Sequence, residues 1–421
     1  MKNEKKWYKL DNAGKLYSSI ISDRVTTVFR LSVYLKNNID EKILQTAFEN
    51  SMKRFPYYSV LLKKGIFWYY LEEASYIPKV QKEKYFPCMD MKFKMRGIFP
   101  LRIIYFRNRI SLEFTHVITD GNGAMILLMY IAEEYLRLSG SMPSDKEYII
   151  NSEFPANDEY EDSFKKYYDR KIPGKVHKNP AFQLPFKKIE RGRYNVVTGI
   201  MPVKKIIEIS KTYGCSVSEF LISLYINSIY IYMKENKKKK KPIVINVPVN
   251  LRSILPSKTM RNFFISITPG IDPRIGDYTF EEIIKLVHHY MNYNINEKQI
   301  KVHIKRNVKN EIGPLKFFPI YTKNMFMPTV YKLWGEMNYT SGFSNMGIIK
   351  LSPELESFIE KLEVIPPPSS GNKIKAASFT YKNMLNVTFG KMTDETDIEK
   401  NFFTALVKMG VPVKIETNTE G

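Results

Sequence analysis

One histidine stands in a pattern that could support catalysis. His116 ends the apolar run ISLEFTH, and Asp120 and Gly121 follow it within the sequence HVITDG. The unperturbed pKa of histidine is about 6.5, so a neutral imidazole is available to take a proton near neutral pH. Gly121 and Gly123 allow a tight turn, and a helix that begins there offers free N–H groups. The pattern therefore indicates a candidate general base at the end of a strand.

The spacing by itself leaves the roles of these residues open. Asp120 could orient the imidazole directly, or it could fix the turn through an arginine. His116 could equally cap the turn or satisfy a polar group in the core, because three fixed positions are weak evidence alone. His288 and His289 lie within a predicted helix that lacks an HExxH pattern, so the sequence predicts no metal site.

The elements that would position His116 are a β-hairpin and a helix. The segment PLRIIYFRNRISLEFTHV predicts two strands that turn at RNR. The side-chain period of two places four residues of the second strand on one face: Ile110, Leu112, Phe114 and His116. From Gly123 onward, the apolar spacing predicts a helix with a broad buried face. His116 is thereby predicted at the end of an inward-facing row.

Strands alternate with helices in both halves of the chain. Residues 29–60 predict a strand and then a helix that Asp40 caps. The second half predicts strands at NVVTGIMPV and PIVINVPVNL and helices at VKKIIEISKTYG, SVSEFLISLYINSIYIYMKE and TFEEIIKLVHHYMNYNI. This alternation favours an α/β or α+β fold. Residues 140–193, rich in proline, glycine and charge, predict a connector between subdomains at 1–139 and 194–421.

Composition narrows the class of protein. The 421 residues are 44% hydrophobic, which is enough for two or three packed domains. The formal net charge of +22 suits an anionic membrane surface or an acidic partner. No nucleic-acid-binding motif accompanies the basic block Lys237 to Lys241, so we expect no nucleic-acid partner and interpret the block as a solvated loop or a docking patch.

Targeting signals are not evident in the sequence. The two cysteines have neither disulfide nor zinc spacing, the N-terminus lacks the apolar run of a signal peptide, and no stretch of about 18 apolar residues occurs. These features predict a cytoplasmic protein without a membrane span, although peripheral contact with an anionic membrane stays open.

Four separated stretches resemble one superfamily and occur in that superfamily's order. They are PLRIIYFRNRISLEFTHVITDGNGAMILL, INVPVNLRSILPSKTMRNFF, SGFSNMGIIKLSP and SFTYKNMLNVTFG, and together they span most of the chain. They resemble the coenzyme A-dependent acyltransferases, the superfamily of chloramphenicol acetyltransferase, peptide-synthetase condensation domains and alcohol acetyltransferases. The free-standing bacterial alcohol acetyltransferase-like branch looks nearest, because Thr115 replaces the first histidine of many condensation domains and the DFGWG box of the plant branch is absent.

The resemblance implies a fold and a catalytic residue. The expected fold is α/β, in two layers, with two chloramphenicol acetyltransferase-like subdomains in a V and a tunnel at their interface. His116 takes the position of the catalytic base, and Asp120 and Gly121 take structural positions beside it. Arg252 is expected either to pair with Asp120 or to clamp its own half of the chain.

The resemblance also implies a reaction. An acyl group would move from acyl-CoA, as co-substrate, to a hydroxyl or amine acceptor, with no acyl-enzyme and no permanently bound cofactor. Ser344 or Asn345 would stabilise the oxyanion, and Asn250 and Asn262 would fix loops or contact the substrate. Two alternatives remain: an enzyme fed by an acidic acyl carrier protein, and a non-catalytic condensation-like binding domain.

Overall fold

A computed structural model of the chain describes residues 6–21, 26–142, 156–167, 180–312, 319–323, 325, 336–369 and 371–419. Its strands are β1 (Trp7–Lys9), β2 (Val28–Leu35), β3 (Val60–Lys64), β4 (Tyr69–Glu73), β5 (Gln81–Lys82), β6 (Leu101–Phe106), β7 (Arg109–Thr115), β8 (Asn195–Pro202), β9 (Ile243–Asn250), β10 (Phe264–Ile267), β11 (Gly270–Ile271), β12 (Ser341–Ile348), β13 (Ile359–Ile365), β14 (Ile374–Tyr381), β15 (Met384–Lys391) and β16 (Lys414–Thr417). Its helices are α1 (Asn12–Ile20), α2 (Glu41–Arg54), α3 (Gly121–Leu138), α4 (Ser163–Lys166), α5 (Val203–Thr212), α6 (Val217–Glu235), α7 (Phe280–Asn294), α8 (Glu297–Ile312), α9 (Pro353–Phe358) and α10 (Asp397–Lys408).

The first large sheet is built around the predicted β-hairpin. Strands β6 and β7 pair antiparallel and turn at Arg107, whose φ of 52° suits a tight hairpin turn. The strand order is β13-β2-β7-β6-β5 within the described residues. The hairpin prediction is confirmed, and β7 ends at Thr115, immediately before His116.

The opposite face of β7 carries a buried acid that holds the sheet in register. Glu113 is fully buried and lies opposite Arg30 on β2 and Arg102 on β6. The Nε atoms of both arginines donate to its carboxylate at 2.7 Å, and the backbone N–H of Cys88 donates at 2.7 Å. A buried carboxylate requires such donors, so this network fixes the register of the strand that leads to His116.

The second large sheet belongs to the second half of the chain. Its strand order is β10-β9-β12-β14-β15-β8-β16, with β11 added against β9, within the described part of the chain. The hairpin of β14 and β15 turns at Lys382 and Asn383, and both residues have positive φ angles. A hydrophobic cluster that includes Phe220, Tyr225 and Phe389 packs the helices against this sheet.

Two helices, one beside each large sheet, have side-chain caps at their N-termini, and the cap predicted at Asp40 is confirmed. The Asp40 side chain accepts hydrogen bonds from Lys42 N and Ile43 N and so caps α2. Ser216 caps α6 in a capping box with Glu219. The predicted two-lobed α/β fold is confirmed. One hydrophobic cluster packs against each large sheet, and the first cluster also includes Phe379 and Tyr381 from β14 of the second sheet.

One strand crosses between the lobes. β13 lies late in the sequence, yet it pairs antiparallel with β2 at the edge of the first sheet. No sequence pattern indicates this exchange, and the boundaries at residues 139 and 194 stay a prediction. Parts of the predicted connector, residues 143–155 and 168–179, lie outside the described residues, and its described portion contains the short α4.

Within the described residues, no helix alone is long and apolar enough to cross a membrane. Helices α5 and α6 meet the length and composition criteria only as a pair, and the two are bent by 82°.

Candidate active site

His116 follows β7 directly and is fixed through its backbone and its ring. Its N–H donates to the Thr27 carbonyl at 3.3 Å, just before β2 begins. Its Nδ1 lies 3.2 Å from the Thr119 carbonyl oxygen. Because a carbonyl oxygen only accepts hydrogen bonds, this contact places the proton of the neutral ring on Nδ1. The lone pair is then on Nε2, the nitrogen that a general base would use.

Aromatic rings enclose this imidazole. Phe29 and Tyr17 stack against it with ring centroids 4.6 and 5.1 Å away, and Phe264 lies at 6.0 Å. Burial among these rings is the main reason why the pKa of His116 is lowered to about 4. The negative charge of Asp120 raises this pKa, and the positive charge of Lys375 lowers it by a smaller amount. The imidazole is therefore neutral, and competent as a base, at physiological pH.

Asp120 connects the histidine motif to the second half of the chain. Its Oδ2 accepts hydrogen bonds from Arg252 Nη1 at 2.8 Å and from Phe263 N at 2.9 Å. Its Oδ1 caps α3 through Asn122 N and Gly123 N, at 3.1 and 3.2 Å. These four contacts use both carboxylate oxygens, so Asp120 fixes the turn through an arginine, the second of the two roles left open by the sequence.

A loop between β9 and β10 holds the motif from the other side. The Met260 carbonyl accepts hydrogen bonds from the hydroxyls of Thr119 and Tyr58, at 2.7 and 2.8 Å. Asn262 Nδ2 donates to the His116 carbonyl at 3.0 Å and also reaches both oxygens of buried Asp11. The backbone at His116 is thus bound by the second lobe, through an asparagine side chain that also binds Asp11 at the N-cap of α1.

Close packing at the start of α3 requires a glycine at one position. A Cβ atom at Gly123 would collide with the Met260 carbonyl oxygen and with the hydroxyls of Thr119 and Tyr58. A Cβ at Gly121 would meet only the Met346 side chain, at 3.4 Å. The close approach between the lobes therefore depends on Gly123.

This difference predicts the effects of a matched pair of variants. Gly123→Ala should lower the free energy of unfolding by about 1–3 kcal/mol, because the clash forces the lobes apart. Gly121→Ala should change it by less than about 0.5 kcal/mol. Urea denaturation followed by circular dichroism measures both, and equal effects of the two variants would contradict this packing.

His116 lines a pocket of about 250 Å³ between the two large sheets. The first sheet contributes an apolar wall that includes Phe29, Leu31 and Val364. The second sheet contributes side chains of β9, β10, β12 and β14, several of them polar. The pocket occupies the interface at which the resemblance places a tunnel.

The structure brings most of the predicted site residues to this pocket. Its lining includes His116, Asp120, Gly121, Asn250, Arg252, Ser344 and Asn345. Asn345 Nδ2 donates to Ser218 Oγ at 2.6 Å and Asn250 Oδ1 accepts from Arg252 N at 3.1 Å, so both are held by their own lobe. Asn262 is not among the described lining residues, and its amide binds Asp11 and the His116 backbone instead.

Other residues of the site were not found from the sequence. Tyr17 lies on α1 and Phe29 on β2, and both stack on His116. Lys375 on β14 lines the pocket beside Gly342, which has no side chain to cover the lysine stem. No local pattern marks these positions, because each reaches the site only through the packing of the lobes. Among the described residues, no group of three or more His, Cys, Asp or Glu side chains could hold a metal ion.

The lowered pKa of His116 predicts the pH dependence of a reaction that it catalyses. Because the neutral ring is the base, kcat/KM should be flat above about pH 5 and should fall about tenfold per pH unit below the pKa of about 4.

The positive charge of Lys375 lowers the pKa of His116. Lys375→Met should therefore move the acid limb to higher pH, whereas exposed Lys350→Met should leave it in place. A pH–rate profile of each variant checks this, and an unmoved limb in Lys375→Met would contradict the assignment.

Comparisons with known proteins identify the fold. No protein-family model matches the sequence, and no curated protein is similar to it at a significant level. The structure is similar to that of polyketide synthase associated protein 5 from Mycobacterium tuberculosis, with a TM-score of 0.61, 12% identity, and coverage of 95% of this chain and 97% of that chain. It is also similar to the epimerization domain from the third module of tyrocidine synthetase B, with a TM-score of 0.57, 11% identity, and coverage of 96% and 97%.

A third similar structure is the condensation domain from the monacolin K polyketide synthase, with a TM-score of 0.59, 9% identity and 96% coverage of both chains. Solved structures of this kind establish a condensation-domain-like fold over nearly the whole chain. At 9–12% identity they establish the fold alone.

Proposed function

We propose that this protein transfers an acyl group from acyl-CoA to a hydroxyl or amine acceptor, with His116 as the general base. The observation that carries the proposal is the neutral imidazole itself, with Nδ1 bound to the Thr119 carbonyl and Nε2 unprotonated. It lies on the wall of a pocket between the lobes, where a thioester and a nucleophile could meet. The condensation-domain-like fold supports acyl transfer as the class of reaction.

The reaction would proceed in one transfer step. His116 Nε2 takes the proton of the acceptor while the acceptor atom attacks the thioester carbonyl carbon. The resulting tetrahedral intermediate carries its negative charge on the former carbonyl oxygen. The C–S bond then breaks, and the leaving thiolate takes the proton back from the imidazolium. General-base action of this kind contributes about a hundred- to ten-thousandfold in rate.

Other residues of the pocket would support this chemistry without taking up the proton of the acceptor. Asp120 and Arg252 hold the turn after His116 in place. Asn345 and Asn250 would shape the second-lobe wall, since their amides are bound within that lobe. Ser344 faces the pocket and would donate a hydrogen bond to the oxyanion. The apolar wall formed by Phe29, Leu31 and Val364 would receive the acyl chain.

A carrier-protein-fed reaction is a second candidate. The similar solved structures include a polyketide synthase associated protein and domains of peptide and polyketide synthetases. The net charge of +22 would also favour an acidic acyl carrier protein as partner. Comparing kcat/KM for one acyl group on coenzyme A and on a loaded carrier protein, at low and high salt, separates the two. If kcat/KM is more than about tenfold higher with the carrier-bound donor than with the coenzyme A donor, and if this ratio falls at high salt, the second candidate is favoured.

A thiol-release assay tests the proposed function. The wild-type protein is given several acyl-CoA donors of increasing chain length with a panel of alcohols and amines, and free thiol is followed continuously. Acceptor-dependent thiol release is expected for at least one pair. Absence of such release with both coenzyme A and carrier-bound donors would favour the remaining alternative, a binding domain without catalysis.

A further inference from the structure

Thr27, whose carbonyl accepts the His116 N–H, has a buried hydroxyl without a hydrogen-bond partner among the described residues. Thr27 is 4% exposed, and it lines the pocket that contains His116. Burying a hydroxyl without a hydrogen bond costs free energy, and native proteins leave few such groups unsatisfied. Because Thr27 lines the pocket, an oxygen atom of a bound ligand is a candidate for the missing partner of its hydroxyl.

The backbone of Thr27 is strained as well. Its φ of 55° lies in the left-handed region, which β-branched residues rarely adopt. Strain of this kind persists only where the surrounding structure imposes it, and it is concentrated at functional sites. The Thr27 carbonyl accepts the His116 N–H at 3.3 Å, so the strained residue is bound directly to the backbone of the candidate base.

The preceding residue, Thr26, is also a buried threonine, and its hydroxyl is hydrogen-bonded within the fold. Thr26 Oγ1 donates to the Cys88 carbonyl at 3.2 Å and accepts from Val28 N at 3.4 Å. Thr26 is 7% exposed and is not among the described residues that line the pocket. Two adjacent and similarly buried threonines thus differ in their hydroxyls: that of Thr26 is hydrogen-bonded within the fold, whereas that of Thr27, the residue that lines the pocket, has no partner among the described residues.

We propose that the Thr27 hydroxyl binds the substrate oxygen that becomes negatively charged in the tetrahedral intermediate. This inference rests on the proposed acyl transfer at His116 and adds a catalytic residue to it. As the acceptor atom bonds to the thioester carbonyl carbon, its proton passes to His116 Nε2 and the carbonyl π electrons move to oxygen. Thr27 donates a hydrogen bond to that oxyanion and keeps its own proton. When the C–S bond breaks, the electron pair returns to the carbonyl and the imidazolium protonates the thiolate.

Three variants test this role. Thr27→Val keeps the shape and the branching of the side chain but removes the hydroxyl, so kcat should fall about 100- to 1000-fold with KM nearly unchanged. Its Tm should not decrease, because no internal hydrogen bond is lost. Thr27→Ser retains the hydroxyl and should keep kcat within about tenfold of wild type. Thr26→Val should show the reverse pattern, with a lower Tm and an unchanged kcat.

The outcomes separate this inference from the function on which it depends. A kcat for Thr27→Val within twofold of wild type would overturn the role of Thr27 and leave the acyl transfer standing. A fall in Thr27→Ser as large as that in Thr27→Val would overturn it too, because the hydroxyl would then not be the determinant. Absence of acceptor-dependent thiol release by the wild-type protein would remove both the proposed function and this inference.

Discussion

Replacing His116 with alanine is expected to lower kcat for acyl transfer by about a hundred- to ten-thousandfold. The variant loses the Nε2 lone pair that takes the proton of the acceptor, whereas the walls formed by Tyr17 and Phe29 remain. Substrate binding should change little, so the loss should appear in kcat more than in KM. Initial rates of thiol release, measured with the best donor and acceptor pair, give both constants.

Two controls make this result specific to His116. His289 is an exposed histidine on α7, and His289→Ala should retain wild-type turnover. Far-UV and near-UV circular dichroism should show that His116→Ala keeps its fold. Unchanged turnover in a folded His116→Ala protein would remove the imidazole from the mechanism.

Replacing Asp120 with alanine is expected to lower the free energy of unfolding by about 3–5 kcal/mol. The Asp120 side chain is 8% exposed and that of its partner Arg252 is 11% exposed. Removing the Asp120 carboxylate would leave the N–H groups of Phe263 and Gly123 without this acceptor. It would also leave the buried charge of Arg252 without its anionic partner, with only the neutral oxygens of Asn250, Thr259 and Arg261 as acceptors. Chemical denaturation of purified protein measures the change. A loss of less than about 1 kcal/mol would show that Asp120 does not join the lobes.

Asp120→Asn provides the matched control. The amide keeps the shape of the side chain and one acceptor oxygen, but its NH₂ group must face a donor, since both carboxylate oxygens accept hydrogen bonds in the native protein. The destabilisation should therefore be smaller than that of Asp120→Ala but still measurable. If both variants were equally stable, the shape and the single acceptor oxygen kept in Asp120→Asn would contribute little, and the lost ion pair would account for the destabilisation.

Local features of this protein were predictable from its sequence. The two hairpins follow from alternating apolar residues and short polar turns, and their turn residues have the positive φ angles that such turns require. The caps at Asp40 and Ser216 follow from the preference of these side chains for free N–H groups. His116 was located because the motif around it lies within a few consecutive residues.

Features that depend on distant residues were not predictable in the same way. The Asp120–Arg252 pair joins residues 132 positions apart, and sequence analysis left it as one of two alternatives. Tyr17 belongs to a short helix that no sequence pattern indicated, and it reaches His116 through tertiary packing. Asp11, at the start of that helix, is held by Asn262 from the second lobe. β13 joins a sheet whose other strands come from the first lobe, and apolar periodicity gives no information about which sheet edge a strand will join.

The most direct test of acyl transfer at His116 is a single-turnover experiment analysed by intact-protein mass spectrometry. Wild-type protein in excess is mixed with an acyl-CoA and quenched at intervals, with and without the acceptor identified by thiol release. We predict that free thiol and acylated acceptor appear together in a one-to-one ratio, only when the acceptor is present, with no mass added to the protein. Release of thiol with an acylated protein peak that forms before the product would contradict direct transfer by a general base.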